Sequence, residues 1–508
     1  MPELLMDGLA VNVPRGATLL DAARKLGIPV PTLCFADGLP HHTSCMVCMV
    51  EDLVAGRLVP ACTARAEEGQ RVRTGGARVL EARRRSLDLL LGEHDGDCEA
   101  PCVRACPAHA DIPGMARRLA RGDGTGALAA ILCWLPLAGS LARVCPAPCE
   151  RACRRADLDS AVSICGLKSA AAESGLMGEM LFTPEPKPSI GKSAAIVGAG
   201  PAGFAAAYFL ALGGCRCVVI DERSSPGGML RNAIPQEKLP DTVFDADVAL
   251  LRRLGVEFRL GERVGPGRGV EELRRRHDAV VLAVGSPERL EELIGRDAEP
   301  RTGATAIPGV FAGGNAVRIT PSRMSVRAVA DGQMLARSVI QFLEGRDPSP
   351  LSRRFDSRRP AHEKEELALL ARQAEERAGR GGTILSGPAA EAARCLDCGC
   401  SRSRTCKLRA LAYELGADGR RFAGGAAAPF ERIRGEGGIS FEPGKCIRCG
   451  ICVRAAEQGG DRPGLAFSGR GAGIRVRVPF GSDMGAALRS TAVECVARCP
   501  TGAMAWER

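Results

Sequence analysis

The chain has 508 residues, 45% hydrophobic and 25% charged, with 23 cysteines and a formal net charge of +10. That length and apolar content suit three or four domains with buried cores, and the cysteines, clustered in a long chain, exclude a short secreted disulfide scaffold and point to metal in a reducing compartment. Aromatic residues are only 4% and no basic helix or stacking platform is visible, so the positive balance reads as solvated surface rather than a nucleic-acid interface, with some capacity to steer an acidic redox partner.

The amino terminus, MPELLMDGLAVNVPRG, lacks a basic stretch followed by an apolar one, and the longest apolar runs, LAAILCWLPLAG and the Gly-interrupted run after Ser193, do not make a membrane span; a cytoplasmic location is expected. The alternating LAVNV, a Pro-Arg-Gly turn and TLLDAARKLGI predict a strand and then a helix opened by Thr18, with Leu19, Leu20, Ala23 and Leu26 on one face. Cys34, Cys45, Cys48 and Cys62 follow as C-x10-C-x2-C-x13-C, an order that fits a small β-grasp ferredoxin carrying a [2Fe-2S] cluster. The first gap is longer than the plant-type C-x4-C-x2-C. This spacing resembles the amino-terminal domain of the large iron-sulfur subunit of respiratory complex I and related hydrogenases, over about residues 1 to 95. In that family a His-x3-Cys pair on the next helical segment starts another cluster. His94 and Cys98 match the pair, but the cysteines after them depart from the family.

CEAPCVRACPAHADIPGM and RVCPAPCERACRR then place Cys98, Cys102 and Cys106, and Cys145, Cys149 and Cys153, at C-x3-C spacing, about one helical turn apart. With DIPGM and AVSICGLKSAAAE, these words resemble the helical two-cluster domain that opens the glutamate synthase small subunit and dihydropyrimidine dehydrogenase. The resemblance implies one cube on Cys98, Cys102 and Cys153 and another on Cys106, Cys145 and Cys149, each one ligand short. His94 is the candidate to complete the first and Cys165 the second, with a surface histidine and a buried helix residue as the plain alternatives. Relatives place a side-chain ligand near Lys168, which cannot ligate while protonated. Cys133, in an apolar run, is expected in the core.

SAAIVGAGPAGFAAAYFLALGGCRCVVIDE has an apolar strand, the turn Gly198-x-Gly200-x-x-Gly203, an Ala-rich helix, a second strand and Asp221 at its end, the full context of a dinucleotide-binding fold. Cys215 and Cys217 lie on the second strand, where packing explains them. SSPGGMLRNAIPQEKLP, with Gly227, Gly228 and Leu230, and GVFAGGNAV, with Gly314 and Asn315 in place of the usual aspartate, resemble the flavin-contacting words of the glutamate synthase small subunit family, which implies FAD. Relatives insert an NADPH-binding domain between these words. Here about twenty residues separate Gly285 from Ile307, whereas such a domain needs on the order of 100. GPGRG, Gly265 to Gly269, is assigned to a loop.

After the helical HEKEELALLARQAEERAG, Cys395, Cys398, Cys400 and Cys406 form C-x2-C-x-C-x5-C, read as one metal site, cube or zinc. Cys446, Cys449 and Cys452 supply three ligands of a ferredoxin cube, and Cys499, before Pro500, supplies the fourth. Arg489, Ala492 and Ala456 occupy the ligand positions of a second cube, of which only Cys495 survives; four thiolates would also suit zinc.

The expected architecture is multidomain α/β and α+β: a β-grasp [2Fe-2S] ferredoxin domain (1–80), an α-helical iron-sulfur domain (81–185), a Rossmann-like FAD domain lacking the NAD(P)H subdomain (190–346), a helical segment with the C-x2-C-x-C-x5-C site (360–420) and a ferredoxin-like [4Fe-4S] domain (436–508). The expected function is an electron-transferring flavo-iron-sulfur subunit of an oxidoreductase complex, with FAD, one [2Fe-2S] and two to four [4Fe-4S] clusters. Resemblance implies an NADH-oxidising flavoprotein, a formate dehydrogenase or a hydrogenase as partner; a ferredoxin is a further candidate. Two alternatives stand: a self-contained NAD(P)H-dependent oxidoreductase of the glutamate synthase small subunit type, and a metal-bound assembly or sensor protein. No general acid-base pair or nucleophile triad is recognised.

Overall fold

The computed structural model describes all residues except 179–180, 296–297, 319–323, 351–353, 360, 380–386, 423–429 and 508. The expected consecutive modules fold as two compact units, each discontinuous in sequence: Met1–Glu99, Arg353–Glu366 and Gly399–Arg508 form one unit, Ala100–Ser352 and Leu367–Cys398 the other.

The first unit opens with a five-stranded mixed sheet in the order Leu9–Asn12, Glu3–Met6, Arg71–Arg73, Met49–Asp52, Arg57–Pro60. The helix Leu19–Lys25 starts in a reciprocal cap: the Thr18 hydroxyl accepts from the Asp21 amide at 3.2 Å, and the Asp21 carboxylate accepts from the Thr18 amide at 2.8 Å. Its Leu19, Leu20 and Ala23 are buried against the sheet, and Leu26 is half-buried at its end. Towards the carboxyl end, the strands Ile433–Gly435, Ile439–Phe441 and Met504–Trp506 form an antiparallel sheet, packed with helices Ile451–Gln458 and Ala492–Arg498.

The second unit begins with short helices, among them Ile112–Leu119, Gly124–Leu132, Ala138–Val144 and Ile164–Leu176. A five-stranded, wholly parallel sheet follows in the order Val310–Ala312, Ala279–Leu282, Ser193–Val197, Arg216–Asp221, Glu257–Leu260. The helices Pro201–Leu212 and Ser325–Leu343 cross closely because Gly332 carries no side chain: a Cβ there would stand 2.3 Å from the Ala202 carbonyl. Cys215 and Cys217 are buried in this core. Cys133 is not: it caps the helix Gly124–Leu132 and is exposed, its thiol turned back to the Ala129 carbonyl at 3.3 Å, because the apolar face of that helix ends one residue earlier. The GPGRG segment also differs from expectation. Gly267, at φ +59, caps the helix Arg268–Arg276, a backbone conformation that glycine adopts without strain.

Asp247 fastens the parallel-sheet domain to the helical one. Fully buried, it accepts from the Ser140 amide at 2.9 Å, the Ser140 hydroxyl at 2.6 Å and the Gly139 amide at 3.3 Å. Burial pushes its carboxyl up from 3.8 to about 6 against those hydrogen bonds. A raised folded value means that the folded chain holds a proton the unfolded chain has released, so this group's stabilisation is greatest below the ordinary value and is lost as pH rises to about 6, by up to ~3 kcal/mol. Thermal melts of wild type and Asp247→Asn between pH 4.5 and 7 are expected to show this decline in the wild type alone; parallel curves would contradict it.

Candidate functional site

In the first unit, the four thiols of the amino-terminal motif converge. The Cys48 and Cys62 sulfurs lie 3.1 Å apart, and Cys34 contacts both Cys45 and Cys62. Contact with its neighbours holds the Cys34 thiol far below the ordinary range and drives Cys45 and Cys62 far above it. Four thiols this close cannot all ionise without a positive charge among them, which bound iron would supply.

Cys446, Cys449, Cys452 and Cys499 line one cavity with Phe441 and Met504. Burial raises Cys446 to about 11 and Cys449 to about 12, and the Arg448 amide points at the Cys446 sulfur at 3.4 Å. Cys495 stands outside this set, buried, its thiol on the Cys452 carbonyl at 3.6 Å. Ala456, fully buried in the same core, takes the position a further ligand would need.

Arg454 ties these two loops together. It is 7% exposed; its Nη2 donates to the Cys34 carbonyl at 3.0 Å and the Cys449 carbonyl at 3.1 Å, its Nε to Gly450 at 3.1 Å, and its Nη1 to Pro40. No motif spacing singles this arginine out.

The structure divides the C-x2-C-x-C-x5-C run, contrary to its reading as one site. Cys400 and Cys406 belong to the first unit with Cys98. The Cys400 amide donates to the Cys98 carbonyl at 3.3 Å, the Cys406 thiol faces the Pro500 carbonyl at 3.8 Å, and a Cβ on Gly502 would stand 2.1 Å from the Cys400 sulfur. Burial pushes Cys98 up to about 12, although the Ser357 amide at 3.4 Å and the Arg409 charge favour its thiolate. His94 has a buried Nδ1 with no hydrogen-bond partner, and burial, helped by Lys445, pushes its imidazole down to about 4. It is therefore neutral near pH 7, the form that ligates metal. Lys445 is also near Cys400 and is paired with Glu442 at 2.6 Å.

Cys395 and Cys398 belong to the second unit, where they line one cavity with Cys102 and Cys153, floored by Ile112, Ile164 and Leu167. The segment is held there by Arg117 to Asp397 at 2.7 Å, by Arg394 to the Ser160 carbonyl at 2.7 Å, and by the Ser163 amide to Glu391 at 2.7 Å. Burial, reinforced by Cys395, Cys398 and Cys153, pushes the Cys102 thiol well above its ordinary range. Cys98, assigned by resemblance to this cube, lies in the other unit.

Cys106, Cys145, Cys149 and Cys165 form the last group. The Cys145 and Cys165 thiols touch, which lowers Cys145 to about 6 and raises Cys165; burial raises Cys149 to about 12, with Cys106 and Cys145 adding to it. The Cys165 amide donates to Glu150 at 2.7 Å. Among the described residues no three His, Cys, Asp or Glu side chains close on a single ion-sized point.

The nucleotide cradle lies at the carboxyl ends of the parallel strands. Gly198 (φ +107) follows Ser193–Val197, and a Cβ on it would stand 2.4 Å from the Ala283 carbonyl; Gly200 caps the helix Pro201–Leu212; a Cβ on Gly203 would stand 1.9 Å from the Gly198 carbonyl. Asp221 accepts from the Ala199 amide at 2.7 Å, bracing the turn. Gly228 lies against Gly200, with Gly227 and the buried Leu230 beside it. Gly314 and Asn315 follow the strand Val310–Ala312, and Gly314 packs on Ala202 at the start of the same helix. Between Ala279–Leu282 and Val310–Ala312, neighbours in the sheet, the described residues hold one helix, Pro287–Ile294; Arg296 and Asp297 lie outside the described residues.

Comparison with known families agrees with this geometry. Residues 3–76 match a 2Fe-2S iron-sulfur cluster binding domain, residues 95–178 the dihydropyrimidine dehydrogenase domain II, 4Fe-4S cluster, and residues 196–255 an NAD(P)-binding Rossmann-like domain. The chain is an assembly of iron-sulfur and dinucleotide-binding domains. A stretch of 189 residues, 37% of this chain, is 38% identical to the NADPH-Fe(3+) oxidoreductase subunit beta of Geobacter sulfurreducens, covering 28% of it. The NADP(+)-dependent formate dehydrogenase subunit beta of Moorella thermoacetica is 37% identical over 207 residues, 37% of this chain and 29% of that one. The glutamate synthase [NADPH] small chain of Bacillus subtilis is 34% identical over 195 residues, 38% of this chain and 40% of that one. The chain thus spans less than half the length of these relatives. Among the described residues, no helix of this assembly is long and apolar enough to cross a membrane.

Proposed function

We propose that the chain is an electron-transferring flavo-iron-sulfur subunit of a cytoplasmic oxidoreductase complex, exchanging electrons with a partner of the NADH-oxidising flavoprotein, formate dehydrogenase or hydrogenase type. The observation that carries this reading is the grouping of the thiols. Setting aside Cys133, Cys215, Cys217 and Cys495, nineteen of the 23 cysteines remain. With His94 they give five sets of four: Cys34, Cys45, Cys48 and Cys62 for the [2Fe-2S] cluster; Cys446, Cys449, Cys452 and Cys499; Cys98, Cys400 and Cys406 with His94; Cys102, Cys153, Cys395 and Cys398; and Cys106, Cys145, Cys149 and Cys165.

FAD exchanges electrons in pairs and iron-sulfur centres one at a time, so the two groups together would convert between them. The chain's own residues set the conditions. Gly198, Gly200 and Gly203 let the backbone approach a pyrophosphate at the start of Pro201–Leu212, Asp221 and Asn315 offer polar contacts to ribose and ribityl, and Gly227, Gly228 and Leu230 wall the cradle. Between the strands Ala279–Leu282 and Val310–Ala312 the described residues hold only the helix Pro287–Ile294, too little chain for a nicotinamide-binding domain.

Iron and acid-labile sulfide analysis of the anaerobically purified chain is expected to give about 18 iron per chain, two from one [2Fe-2S] and sixteen from four cubes, with stoichiometric FAD. Anaerobic stopped-flow mixing with NADH or NADPH is expected to leave the flavin oxidised. Zinc in place of iron, or rapid bleaching by either nucleotide, would overturn the reading.

A further inference from the structure

Lys168 lies on the helix Ile164–Leu176, one turn beyond Cys165, and is only 3% exposed. Its Nζ donates to the Leu141 carbonyl at 3.3 Å, the oxygen that also accepts the Cys145 amide at 3.2 Å. The ammonium is thereby seated on the turn that delivers Cys145. Among the described residues no carboxylate forms an ion pair with it. Lys445 makes the contrast: equally buried, it is neutralised by Glu442 at 2.6 Å. An ammonium removed from water without a counter-charge is strongly disfavoured, so a buried lysine of this kind needs negative charge from another source. The groups facing it are the thiols of Cys106, Cys145, Cys149 and Cys165.

Four thiolates around a cube carry net negative charge whether the cube is oxidised or reduced, and one more electron adds one more negative charge. A fixed ammonium at that surface stabilises the reduced form more than the oxidised form. We propose that Lys168 is the built-in counter-charge of the cube held by Cys106, Cys145, Cys149 and Cys165, and that it raises the reduction potential of that cube above what a neutral side chain would give. The inference rests on the ligand grouping proposed above. Lys168 acts here as a positioning and charge-balancing residue, not as a ligand, and Cys165 takes the fourth corner one turn away.

The test is a potentiometric titration of the intact, cluster-loaded chain followed by low-temperature spin resonance, with wild type, Lys168→Met and Lys168→Arg. In Lys168→Met one cube is expected to become at least tenfold harder to reduce, a midpoint about 59 mV more negative for a one-electron couple, with the other centres unmoved. Lys168→Arg, which keeps the charge, should stay near wild type. Unmoved midpoints in the methionine variant, or an arginine variant that behaves like it, would overturn the proposal. If the methionine variant loses about four iron and the arginine variant keeps them, the charge is needed to hold the cube and the proposal stands; if both lose them, the side chain acts by shape and it falls. A wild-type chain with only three cubes would overturn the ligand grouping, and the role of Lys168 with it.

Discussion

Cys398→Ala and Cys406→Ala are each expected to remove about four iron from the chain, and the double variant about eight. The expectation follows from the division of the C-x2-C-x-C-x5-C run, which sends Cys395 and Cys398 to the cavity of Cys102 and Cys153 and leaves Cys400 and Cys406 in the unit that contains Cys98. Were the run one site, the single and double variants would all lose the same cube. The two single variants should also differ in which spin-resonance signal disappears, and Cys153→Ala should reproduce the loss seen with Cys398→Ala. Additive iron losses decide between the two arrangements without any measurement of activity.

Arg454→Ala is expected to lower the stability of the first unit by on the order of 3–5 kcal/mol, a fall in melting temperature of roughly 10 °C for a unit of this size. One guanidinium donates to the carbonyls of Cys34, Pro40, Cys449 and Gly450; its removal takes that donor from the Cys34 and Cys449 carbonyls, while the Gly450 carbonyl keeps the Arg454 amide at 3.1 Å. The loss should also reach the redox chemistry. Two of the bridged carbonyls belong to Cys34 and Cys449, proposed ligands of the [2Fe-2S] cluster and of the carboxy-terminal cube, so loosening them should slow reduction of one centre by the other in freeze-quench experiments. Lysine keeps the charge but presents one donor group in place of the fork, and is expected to recover only part of the stability. A variant with unchanged melting and unchanged inter-centre transfer would show that the bridge is incidental.

Much of the site was legible as local spacing. The thiols of residues 34–62 and the Cys446, Cys449, Cys452 and Cys499 set meet as their motifs imply, because each loop delivers ligands over a few residues and one partner strand or helix closes it. The glycine turn was legible for the same reason: Gly198 and Gly203 are needed where a Cβ would stand 2.4 and 1.9 Å from another carbonyl oxygen. What spacing did not reveal was long-range pairing. Cys102 meets Cys395 across almost the whole inserted unit, and a run of four thiols in twelve residues concealed a boundary between Cys398 and Gly399. The ligand deficit of the first helical cube was the available signal, since a cube short of thiols implies that another segment supplies them. Arg454 and Asp247 had no spacing signature, and resemblance marked Lys168 only as a place where relatives have a ligand, because the roles of all three arise from burial and from carbonyls and thiols brought near them by folding. Cys133 was misplaced because an apolar run read as a string does not show where one face of a helix ends.

Cys102 and Cys398 stand near the first and last residues of the second unit and line the same cavity. Stretches almost the whole unit apart in sequence thus meet at one point, and closing so long a loop costs entropy that a cross-link would offset. A cube seated in that cavity would act as a clasp between them. Loading iron there would do more than add a stepping stone for electrons: it would fasten the opening helices of the unit to its closing segment.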